Sequence, residues 1–152
     1  MSVQIPAGVE ADLTLNDVTM SPEAYTVYSG ITIAKGGSLC LTLEGANSIQ
    51  AGFYAGIEVP YGASLEIKGT GSLEVSGGNT SAAIGEGPTK NGWGNITISG
   101  GTIVATGSTS GAGIGGAGGS RTKSLQTGAI TISNGSVRAN GGSDGGAGIG
   151  TG

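Results

Sequence analysis

Apolar and polar residues alternate along this chain in short runs. Ile31-Thr32-Ile33, Leu41-Thr42-Leu43, Leu65-Glu66-Ile67, Ile96-Thr97-Ile98 and Ile130-Thr131-Ile132 all follow the same scheme. A period of two places one set of side chains on a buried face and the other in water, which predicts strands. Each run is broken within a few residues by Gly, Ser or Asn, too soon for a helix. Ile, Val and Thr suit a pleated, half-buried surface. No segment sustains the 3.6-residue period of a helix.

The runs also repeat over longer distances. GITIAKGGSL (30–39) returns as GIEVPYGASL (56–65), and GNITISGGTIVATG (94–107) returns as GAITISNGSVRANG (128–141). SAAIGEG (81–87), SGAGIGG (110–116) and GGAGIGT (145–151) are three versions of one piece. Aligning the copies gives columns of like residues. One reads Leu39, Leu65, Ile96, Ile130, and the next reads Leu41, Ile67, Ile98, Ile132. A third reads Ile49, Leu73, Ile103, Val137, followed by Ala51, Val75, Ala105, Ala139. The last reads Ile31, Ile57, Ile84, Ile114, Ile149.

Three short strands in each repeat of roughly 24–34 residues imply a coil with three sides. The predicted fold is all-β: a right-handed, three-sided parallel β-helix of about five coils, beginning near Leu13, Leu39, Leu65, Asn95 and Ala129. Stacking at about 4.8 Å turns the columns into ladders that fill a narrow interior. Residues 1–152 form one domain, with 1–12 expected as an N-terminal cap and 13–152 as coils. The later coils are longer because one corner takes insertions, Glu86–Trp93 and Ala117–Thr127, expected to project from one side.

Composition narrows the function classes. Glycine is extreme, at 34 of 152 residues, but only 11% of residues are charged, which argues against disorder. Glycine instead serves the three changes of direction in each coil. In Ala-Gly-Ile-Gly it flanks an inward Ile, where a Cβ would collide. Formal charge is −4, and the six basic residues Lys35, Lys68, Lys90, Arg121, Lys123 and Arg138 are spread along the chain, no footprint for nucleic acid. No apolar run is long enough to span a membrane. The first residues lack the basic start and apolar stretch of a signal peptide. A single cysteine, Cys40, allows no internal disulfide, and there is no histidine.

At this point a resemblance enters. GNITISGGTIVATG followed by GAGIGG resembles the Gly-rich repeats of large surface proteins of gut-dwelling and other Gram-positive bacteria. The first half, LTLNDVTM through GIEVPYGASLEIKGTGSLEVSGG, is similar to carbohydrate-binding β-helix domains of such proteins. The resemblance implies an extracellular or cell-surface location within a longer parent protein. It implies polysaccharide or cell-surface glycan as the partner, with acidic sugars and calcium among the ligands. No acidic cluster in this chain matches the binding residues of those domains.

The residues themselves offer little catalysis. β-Helix hydrolases and lyases group Asp with Lys, Arg or His on one sheet. Here Asp12 and Asp17 lie near the first coil and Asp144 near the last, while Glu66 and Glu74 occupy different strands. The chain is therefore expected not to be an enzyme. Gly111-Ala112-Gly113-Ile114-Gly115-Gly116 fits G-x-G-x-x-G in letters only, with no helix to follow. No cofactor is expected, apart from calcium, for which Asp12, Asp17 and Asp144 are the candidate ligands. The outward Thr97 and Thr131 are too few for an ice-binding array, and Glu66 interrupts them.

Sugar recognition favours exposed aromatic faces beside polar groups. Trp93 with Asn91, then Tyr61 and Tyr54, are the candidate ligand-binding residues; the competing reading makes Trp93 a lid on the core. Tyr25 and Tyr28 are expected to pack over the first coil. The alternative function is a structural stalk or adhesin spacer that binds nothing. The chain stops in mid-pattern after Ile149. It is expected to be part of a longer protein, or to self-associate through a last coil bearing Ile132, Val137 and Ile149.

Overall fold

The computed structural model describes residues 1–21, 27–89, 91–119 and 126–152. The first coil holds β1 (Val3–Ile5), β2 (Glu10–Asn16) and β3 (Thr19–Met20). The second holds β4 (Ile31–Ile33), β5 (Ser38–Glu44) and β6 (Ala46–Gln50). The third holds β7 (Ile57–Glu58), β8 (Ser64–Gly69) and β9 (Ser72–Ser76). The fourth holds β10 (Ile84–Gly85), β11 (Asn95–Ile98) and β12 (Thr102–Thr106). The fifth holds β13 (Ile114–Gly115), β14 (Ile130–Ile132) and β15 (Ser136–Asn140), and β16 (Ile149–Gly150) opens a further level.

Strands of successive coils pair in parallel and build three sheets. Sheet A runs β1-β4-β7-β10-β13-β16, sheet B runs β2-β5-β8-β11-β14, and sheet C runs β3-β6-β9-β12-β15. This is a parallel β-helix with five strands on two sides, so four full turns separate β2 from β14. Residues 3–5 and 10–12, expected as a cap, are paired strand instead: Val3 lies on Ile31 and Ala11 on Leu39. The coils therefore begin ten residues earlier than the apolar runs suggested, because Val3, Ile5 and Ala11 are too sparse to read as a run.

Inside, the ladders are continuous. Ile31, Ile57, Ile84, Ile114 and Ile149 are in register, as are Leu39, Leu65, Ile96, Ile130 and Leu41, Ile67, Ile98, Ile132. All the members in coils two to four are buried. Each ladder buries its side chains against the rungs above and below, and that burial is the main source of stability in a stack with no other core.

Two columns need correction. Ile49 pairs with Val75 rather than Leu73, taking the place expected for Ala51, which lies beyond β6, and the residue opposite Leu73 is Asn47. Asn47 faces inward and is 4% exposed. Its amide is satisfied at the corner between sheets B and C: Nδ2 donates to the carbonyls of Glu44 (2.8 Å) and Ser72 (3.1 Å), and Oδ1 accepts the Val18 N–H (2.9 Å). A polar group can enter this interior because it closes hydrogen bonds to three coils.

The Ala-x-Ile-Gly pieces are chain reversals. After the inward Ile84, Gly85 takes φ +133°, and the Glu86 carbonyl turns back to accept the Ala82 N–H at 3.1 Å. Gly115 repeats this at φ +128°, with the Gly116 carbonyl accepting from Ala112 at 2.9 Å. A Cβ on Gly115 would run into the Gly150 carbonyl of the next rung, so only glycine fits.

Candidate functional site

The outer face of sheet B carries a shallow surface groove of about 400 Å³. Alternation along each strand decides what lines it. Glu10 and Asp12 come from the first coil, Ser38 and Cys40 from the second, Ser64 and Glu66 from the third, and Asn95 and Thr97 from the fourth. The register stacks them in two rows: Glu10, Ser38, Ser64, Asn95 and Asp12, Cys40, Glu66, Thr97. Ser99 Oγ donates to Glu66 Oε1 at 2.8 Å, and Asn95 Oδ1 accepts the Ala129 N–H at 3.0 Å. Lys68 stands beside these rows. Its ammonium is held above the usual lysine range, first by a hydrogen bond with Cys40 and then by nearby negative charge, including Glu66 and Asp12. A smaller groove of about 240 Å³ crosses sheet C over Ser48, Gln50, Glu74, Ser76, Val104 and Thr106.

The expected aromatic site is not assembled in this form. Trp93 is 5% exposed and belongs to the core. Its backbone bridges Pro60 below and Thr127 above, and its carbonyl accepts the Gly128 N–H at 2.7 Å. The insertion 86–93 thus returns to the interior at its last residue, and Trp93 fills the A–B corner of the fourth coil. Its indole Nε1 is buried with no hydrogen-bond partner among the described residues. Asn91 is exposed at the insertion's surface. Tyr61 is 39% exposed at the same corner one coil below, and Tyr54 is half-buried at the C–A corner. Tyr28 is exposed rather than packed over the first coil, and Tyr25 lies outside the described residues.

Nor do the three Asp residues converge. Asp12 projects from β2 on sheet B. Asp17 takes φ +54° at the next corner, where its Oδ1 accepts the Ala46 N–H at 2.8 Å. Asp144 lies after β15, its Oδ1 accepting from Ser143 Oγ at 3.2 Å. Among the described residues no group of three Asp, Glu, Cys or His side chains could hold a metal ion.

Two carboxylates on the sheet A side went unnoticed in the sequence. Glu86 is 1% exposed and accepts two backbone N–H groups, Gly92 (2.6 Å) on Oε1 and Ala117 (2.8 Å) on Oε2. It ties the first insertion to the start of the second. The signal was a lone charge inside Ala-Ala-Ile-Gly-Glu-Gly, where the sister repeats carry Gly or Thr. Glu58 lies between Ser29, whose Oγ donates to Oε2 at 3.1 Å, and Gly87, where a Cβ would strike its carboxylate. Burial holds the Glu58 carboxyl above its ordinary range, with the Ser29 bond opposing.

That shift has a sign. With the folded value above the unfolded one, Glu58 stabilises the fold when protonated and loses that contribution as pH rises through the folded value. Glu58→Gln is uncharged and retains an acceptor for Ser29. It should raise the melting temperature at pH 7, and the gain should vanish below about pH 4. A gain of equal size at both pH values, read by thermal melts, would mean that charge burial is not its cause.

Comparison with known proteins brings no relative to bear: no family model matches the chain, and no curated protein or solved structure is detectably similar to it.

Proposed function

We propose that this chain is a non-catalytic β-helix module of a bacterial cell-surface protein, and that it binds polysaccharide along the outer face of sheet B. The supporting observation is the groove itself. Four successive coils present hydroxyl, amide and carboxylate groups in two straight rows, repeating at about 4.8 Å. A surface with one-dimensional repetition matches a ligand that is itself a linear repeat, since each added unit meets a further rung of outward side chains. Polar groups of this kind fix the orientation of a sugar. The Gly-rich repeats, with their resemblance to surface-protein segments, support the extracellular setting.

A second reading is a structural spacer. Its support is Trp93, whose burial removes the largest aromatic platform from the surface. Binding measurements separate the two. Asn95→Ala combined with Thr97→Val should weaken retention in polysaccharide affinity gels several-fold without moving the melting temperature. Ser76→Ala with Thr106→Val on sheet C should leave retention unchanged. Equal loss from both pairs would remove sheet B as the site, and no retention of any polysaccharide by the parent chain would leave the spacer.

A further inference from the structure

We infer that the sheet B groove selects polysaccharides free of acidic sugars and binds amino-sugar polymers most tightly. This rests on the polysaccharide reading of that groove and adds the charge of the ligand. The charged side chains lining the groove are Glu10, Asp12 and Glu66, all carboxylates. Asp12 and Glu66 share one row, two coils apart, with Cys40 between them. A chain lying along that row passes both. The nearby cation, Lys68, is outside the lining.

A uronate or sulfated chain laid in the groove would bring its charges against carboxylates of the same sign. No metal-holding group exists among the described residues to bridge them. A protonated amine meets the opposite situation. At about 4 Å in water one such contact is worth about 1 kcal/mol, or about fivefold in affinity. At these exposed positions salt screens it, so the preference should fade as ionic strength rises. The acidic sugars implied by the resemblance to surface carbohydrate-binding domains are thus the class this groove opposes.

The test uses the whole chain at pH 6 with three soluble probes: chitosan oligosaccharides, the neutral glucan dextran and polygalacturonate. Titration calorimetry is run at low and high salt, with calcium and with chelator. Chitosan should bind most tightly, dextran more weakly and polygalacturonate not detectably. Asp12→Asn with Glu66→Gln should cost chitosan at least about fivefold more than it costs dextran at low salt. Polygalacturonate binding as tightly as chitosan, with or without calcium, would overturn the charge inference while leaving the polysaccharide reading intact. Chitosan binding that ignores both salt and the double substitution would overturn it as well. Failure of all three probes to bind would remove the polysaccharide reading and this inference together.

Discussion

Ile98→Asp is expected to lower the melting temperature by about 10 °C or more, while Ile132→Asp, one rung further along the same ladder, shifts it by only a few degrees. Ile98 is fully buried, between Ile67 and Ile132. An aspartate there places a carboxylate among buried Ile and Leu side chains, at a cost of about 4 kcal/mol even after local rearrangement. Ile132 points to the same side but is 43% exposed, so a charge at that position keeps much of its hydration. Coil-to-coil additivity shapes the outcome further. A break at Ile98 separates the fifth coil from the first three, whereas damage at Ile132 stays at one end. Thermal melts by circular dichroism check both. Equal destabilisation would show that Ile132 is covered in solution; two small effects would refute the register.

The ladders were legible because they break no local rule. Ile31 through Ile149 and Leu41 through Ile132 repeat like on like, and alternation fixes which face each residue takes. The misreading of Ile49 has a physical source. Coils two and three keep one offset of 26 residues throughout, which places Asn47 opposite Leu73 and Ile49 opposite Val75. Matching apolar to apolar shifts that column by two, because nothing in the letters says that an Asn is satisfied at a corner. Glu86 was hidden for a similar reason: it accepts backbone N–H groups from two insertions, and backbone positions in loops do not show in a residue pattern. The sheet B rows were each partly visible as outward residues. Their assembly into a groove requires the coil-one strand β2, which the apolar pattern divides between a cap and the first coil.

Replacement of Trp93 should have the second large effect. Its position at the end of a Gly- and Asn-rich stretch allowed either an exposed platform or a lid on the core, and its burial bears out the lid. The chain around it is tied down on both sides: Gly94 N–H reaches the Val59 carbonyl at 2.9 Å, and the Gly92 carbonyl accepts the Tyr61 N–H at 3.2 Å. Those bonds carry the backbone back into the rung, and the indole follows it into the core. Trp93→Ala should therefore cost about 3–5 kcal/mol, the range for emptying an aromatic site. Trp93→Phe should cost much less than its lost volume suggests, because it also removes the indole N–H, which is buried without a partner among the described residues. Chemical denaturation of the two variants measures both. If Trp93→Ala keeps the parent's stability but loses polysaccharide retention, the indole lies at the surface in solution and the binding face moves to the A–B corner. A Trp93→Phe variant as unstable as the alanine would show instead that the indole N–H has found a partner, and the insertion would then owe part of its anchoring to that bond.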